Sequence, residues 1–96
     1  MKEGKGALSG LDELVGQVVV IDFAGPTMII GRLVRIADDA FVLDDADLYD
    51  REESHSGKEL YLINTRKFGV KVSRRRTYVP RQNAIAVSAL DDVIAD

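Results

Sequence analysis

The 96-residue chain has no cysteine, no tryptophan and only two prolines. Without cysteine there is neither a disulfide framework nor a thiolate metal site, which suits a reducing compartment. Long apolar runs are also missing. The longest, Val18 to Ile21 and others of the same length, fall far short of the roughly 20 residues that cross a bilayer as a helix. The opening MKEGKGALSG holds no apolar stretch of signal-peptide length. These absences predict a soluble, intracellular, cytoplasmic protein with no membrane contact. Catalytic constellations are missing too. The single histidine, His55, sits in the polar loop DREESHSG, which supplies neither a positioned acid nor an oxyanion site. Gly4, Gly6 and Gly10 have no strand before them, so they form no dinucleotide fingerprint. Asp44, Asp45 and Asp47 match no EF-hand spacing, and strand alternation separates Asp44 from Asp45. A solvated or paired acidic face is the simpler reading of them. The expectation is a protein that is not an enzyme and holds no cofactor or metal.

Charge of one sign is locally absent as well. From Arg66 to Arg81 there is no acid, while Arg66, Lys67, Lys71, Arg74, Arg75, Arg76 and Arg81 crowd the window. Asp38, Asp39, Asp44, Asp45, Asp47, Asp50, Glu52 and Glu53 concentrate half of the acids in another stretch, and the net charge is −3. Segregation of this kind is either a binding patch or internal pairing between two segments.

What is present reads as one small domain over residues 1–96, its residues 1–8 a frayed N-terminus. Ser9 and Asp12 stand at capping-box spacing, and Leu11, Leu14 and Val15 share a helical face that Gly16 ends. QVVVIDF (17–23) is a β-branched strand whose consecutive apolar residues imply cover on both faces. TMIIGRLVRIA (27–37) is a second strand, bent at Gly31. AFVL (40–43) is a third, with the acidic extension DDADLYD behind it. KELYLINTRKF, between a Ser56–Glu59 capping box and Gly69, is read as a helix, although Tyr61, Ile63 and Thr65 also alternate as on a strand. VKVSRRRTYV (70–79) and NAIAVSA (83–89) are the last strands, joined through a turn at Pro80, and LDDVIAD lies along the sheet edge. One short α-helix followed by five short, strongly bent strands gives a mainly β fold, a curved antiparallel sheet or partly open, SH3-like barrel.

That order of elements resembles the Sm-like (LSm) family. LVGQVVVIDFAGPTMIIGRLVRIADDAFVLDDA (14–46) is similar to the first Sm motif, with Gly16, Val18, Val20, Gly31, Leu33, Asp38, Val42 and Leu43 in comparable places. TYVPRQNAIAVS (77–88) is similar to the second. Two departures stand out. The family's base-reading Asn falls on Ala40, which has no side-chain donor or acceptor. The family's Arg-Gly pair falls on Pro80-Arg81, while Asn83 matches. Residues from about 47 to 72 form a long insertion between strands three and four.

The resemblance implies a homo-oligomeric ring that pairs the fourth strand of one subunit with the fifth of the next. AIAVS, with neither charge nor proline, reads as an edge meant to be covered. It also implies RNA binding with altered or weak base specificity, through Asp38, Asp39, Arg81, Gln82 and Asn83 around a central hole. Arg81 is the leading single contact, and Tyr78 could stack a base nearby. For most of the other arginines, pairing with carboxylates on the adjacent acidic strand is favoured. Two other readings remain open: an oligomeric structural or assembly module with protein partners and no RNA, and an unrelated SH3-like interaction domain.

Overall fold

The structure is a computed structural model that describes residues 10–50, 52 and 57–94. Strands β1 (Val18–Phe23), β2 (Thr27–Ile36) and β3 (Ala40–Asp50) form an antiparallel meander. Helix α1 (Lys58–Phe68) follows, then β4 (Arg74–Pro80) and β5 (Ala84–Ala89). A helical turn at residues 10–12 precedes β1, and 3-10 turns occupy Arg81–Asn83 and Leu90–Asp92. The five strands form one sheet in the order β4-β3-β2-β1-β5, so β4 and β5 are its two edges.

The continuous apolar run of β1 is explained by cover on both faces of the sheet. Val19 and Ile21 pack into one core with Leu33, Phe41, Leu43, Ala46 and Val79, onto which Leu11 and Leu14 fold. Val20 points the other way, into a second cluster with Met28, Ile30, Tyr49, Leu62 and Leu90. Helix α1 supplies Leu62 to that second face and keeps Thr65 buried beside it.

The β2–β3 ladder is interrupted twice, once between Leu33 and Arg35 and once at Gly31. Ile30 pairs with Asp47 and Arg32 with Asp44, so Asp45 and Ala46 together oppose Gly31. This is a β-bulge, and Asp45 takes the left-handed φ of 53° within it. The extra residue switches which parity of β3 faces the first core: Phe41 and Leu43 before it, Ala46 after it. Asp45 is thereby turned out to solvent. Gly31 has no alternative at this point, because an added Cβ would lie 2.8 Å from the Ala46 Cβ and 3.0 Å from its Cα.

Several expectations need adjustment. Val15 is 42% exposed and does not join Leu11 and Leu14 in the core. The fourth strand starts at Arg74 rather than Val70. Gly69 ends α1 with φ +89° and donates its N–H to Thr65; Val70 then packs into the second cluster instead of entering a ladder. The described part of the tail after β5, residues 90–94, begins as a 3-10 turn rather than as a segment along the sheet edge. Its 3-10 turn buries Leu90 against the second face. The N-cap of α1 is Gly57, with no side-chain cap bond. Ser9, His55 and Ser56 lie outside the described residues, as do residues 1–8.

Candidate nucleic-acid interface

The β2–β3 turn and the turn between β4 and β5 meet at one end of the sheet. The register Ala40↔Pro80 and Phe41↔Val79 brings residues 38 and 39 against residues 81 and 82. Arg81 fastens the two. Its backbone N–H donates to Asp39 O at 3.0 Å, and its Nη1 donates to Ala37 O at 3.1 Å and Asp38 O at 3.4 Å. The guanidinium also lies over the Phe41 ring, 5.7 Å from its centroid, a favourable cation–π position.

The result is an open cleft of about 620 Å³ lined by Asp38, Asp39, Ala40, Tyr78, Pro80, Arg81 and Gln82. Four of the five residues singled out from the sequence share it. Asn83 does not; it lines a shallow groove on the other side of Gln82 with Phe23, Ala24, Ala84 and Ile85. Tyr78 is 58% exposed. Chemically, the cleft offers carboxylate acceptors at the turn, an amide at Gln82, one aromatic face, and a guanidinium whose Nη1 is already committed to backbone carbonyls. Among the described residues no group of three or more His, Cys, Asp or Glu could hold a metal ion.

Carboxylates claim fewer of the arginines than the charge pattern predicts. Arg76 stands across from Asp44 in the β3–β4 ladder. It holds Asp44 in a two-pronged ion pair, Nε to Oδ1 at 2.6 Å and Nη2 to Oδ2 at 3.0 Å. The hydrogen bond from Arg76 keeps the Asp44 carboxyl below its ordinary 3.8, with desolvation acting in the opposite direction. Asp47 goes elsewhere. It accepts the Tyr61 hydroxyl at 2.6 Å and the Ser73 hydroxyl at 2.7 Å, tying α1 and the approach to β4 onto β3. Burial, then the bond to Asp47, raise the Tyr61 phenol above its ordinary value. Asp50 accepts the Glu52 N–H at 2.9 Å. Among the described residues no carboxylate pairs with Arg74 or Arg75. The Asp47 clasp escaped sequence reasoning because its partners lie 14 and 26 residues away, and no local spacing rule reaches that far.

No protein-family model and no curated protein sequence matches the chain. Solved structures do. An Sm protein of Pyrococcus abyssii, solved in complex with a uridine heptamer, is similar with a TM-score of 0.56 at 18% identity, over 85% of this chain and 94% of that one. The P. aerophilum SmAP1 heptamer gives 0.53 at 16%, over 93% of each chain. A chain of the NatC complex bound to CoA gives 0.55 at 14%, over 82% of each. With its N-terminal helical turn, its two edges at β4 and β5 and its bend at Gly31, the chain has the Sm fold.

Proposed function

We propose that the protein is a homo-oligomeric, Sm-like ring that binds RNA with weak or altered base preference, and that it works by binding, not catalysis. One observation carries the reading: Arg81 draws the β2–β3 and β4–β5 turns together, so Asp38, Asp39, Tyr78, Arg81 and Gln82 line a single cleft. The fold shared with an Sm protein bound to a uridine heptamer, and with an SmAP heptamer, supports it. The role of Arg81 within this reading is to position the turns first and to contact phosphate second. The change in base preference follows from the acceptors. Ala40 presents no hydrogen bond to a uracil edge, whereas the carboxylates of Asp38 and Asp39 suit amino groups on a base. Ring closure would pair edge β4 with edge β5 of the next subunit and repeat the cleft around the hole, so weak contacts multiply. A cytoplasmic location fits this reading, and no described helix is long and apolar enough to cross a membrane.

The test is fluorescence anisotropy with labelled U-rich and mixed single-stranded RNA at low and high salt. Binding is expected, falling with salt at a slope of about 0.7 per neutralised phosphate. Tyr78→Ala should lower affinity about tenfold by removing one stacking face. No binding at low salt sinks the RNA reading and leaves an assembly module with protein partners. That second reading draws on the similar chain in the NatC complex and on the two exposed acids at the cleft.

A further inference from the structure

A second surface of the molecule has the composition of a single-stranded nucleic-acid contact, and it lies outside the cleft. It follows the end of α1 into the start of β4: Lys67, Phe68, Lys71, Val72, Arg74 and Arg75, every one of them exposed. Phe68 is 82% exposed and Val72 50%. Phe68 belongs to neither core, although Leu62 of the same helix does. Of the acids on β3, only Asp44 is paired with a cation among the described residues, Arg76; Asp47 is held by the Tyr61 and Ser73 hydroxyls, Asp50 by a backbone N–H, and Asp45, opposite Arg75 in the register, is turned out to solvent without an ion pair. Among the described residues none of Lys67, Lys71, Arg74 and Arg75 has an acidic partner, and the sequence from 66 to 81 contains no acid to provide one.

We propose that this flank is a second binding surface for single-stranded RNA, in which Lys67 and Lys71, with Arg74 and Arg75 reaching from opposite faces of the edge strand β4, track the phosphates and Phe68 stacks a base. Cations interleaved with an exposed aromatic are what a sequence-tolerant single-strand surface requires, because phosphate supplies the charge and every base has a face to stack. Arginine adds two-pronged phosphate recognition that lysine lacks. The clasp at Asp47 matters here, since the Ser73 hydroxyl bond and the Ser73 N–H to Ala46 O at 2.9 Å fix the start of β4 beside α1. The surface shares its ligand class with the proposed cleft but none of its residues.

The experiment measures anisotropy of a labelled single-stranded RNA against the full-length protein across a series of salt concentrations. Three variants are compared: Phe68→Ala; the combined Lys67→Ala, Lys71→Ala, Arg74→Ala and Arg75→Ala; and Tyr78→Ala in the cleft. All the flank side chains are exposed, so circular dichroism should report an unchanged fold. Phe68→Ala is expected to weaken binding about tenfold at fixed salt with its salt slope intact. The combined variant should flatten the slope by about three. If both bind as the unchanged protein does while Tyr78→Ala loses affinity, the flank proposal is overturned and the cleft reading stands. If the flank variants lose binding and Tyr78→Ala does not, the flank stands and the cleft falls. Heparin is the control polymer. Equal loss of heparin and RNA on Phe68→Ala, or no effect of that change on RNA, overturns the stacking role. Absence of any RNA binding overturns both surfaces.

Discussion

Gly31 shows how a single position can be required by two demands at once. The valine- and isoleucine-rich strand around it marks it as a bend in the sequence. What the sequence does not reveal is that the space beside it belongs to the backbone of another strand: the Ala46 Cα and the Asp44 carbonyl lie within 3.2 Å of where a Cβ would be. Neither can rotate away as a long side chain would. Gly31→Ala should therefore destabilise the fold by roughly 2 kcal/mol through overpacking, outweighing the small gain from a stiffer unfolded chain. The urea midpoint checks this; an unchanged or higher midpoint contradicts it. Asp45 and Ala46 look like an ordinary strand ending in the sequence, yet they form the bulge that turns the acid out and the alanine in. Arg81 carries a comparable lesson. Its position next to a turn identified it, but its grip on Ala37 and Asp38 depends on a turn more than 40 residues earlier in the chain.

Among the elements, β1, β2, β5 and α1 were legible because each carries its own signal: a β-branched run, a mid-strand glycine, an uncharged edge, a glycine stop. The start of β4 was not, because the alternation in VKV is the same whether a residue joins a ladder or packs as Val70 does. Helix α1 depends on tertiary anchors. Its face gives only Leu62 and Thr65 to full burial, and it is held besides by Tyr61 to Asp47, by Lys58 to Asp22 at 3.1 Å and by Arg66 to Val93 O at 2.6 Å. Tyr61→Phe keeps the ring that packs 4.6 Å from Tyr49 and removes only the hydroxyl. The loss should be about 1.5 kcal/mol, typical of a hydrogen bond to a charged group. It should appear in native-state hydrogen exchange as faster exchange of the α1 amides with β1–β3 unaffected. A uniform change across all strands would mean that the helix is not a separable unit.

At the scale of the whole molecule, the sheet ends in two open edges, and β5 carries Ile85 at 68% exposure. Ile85 sits where the register jumps from Asp22↔Ala86 to Phe23↔Ala84, so it has no partner within the β1–β5 ladder. In the proposed ring such a residue is covered by the next subunit. Ile85→Lys should then shift the assembly toward monomers in multi-angle light scattering with circular dichroism unchanged. A wild-type protein that is already monomeric contradicts the ring itself. The fold class was legible from the order of elements. The division of labour among the arginines was not, since it depends on which carboxylates are already engaged, and only the ladder of Asp44 against Arg76 and the clasp at Asp47 decide that.

The pairing of β5 with β1 has a consequence in time. Val19 pairs with Ala89, seventy residues later in the chain, whereas β1, β2 and β3 meet through short turns. The meander can form from local contacts as soon as its residues are available, but closing the sheet requires β5 and the entropy of a long loop. Until that closure, β1 is itself an open edge of bare valines. The newly made chain is therefore most prone to wrong strand pairing in the interval before β5 is available.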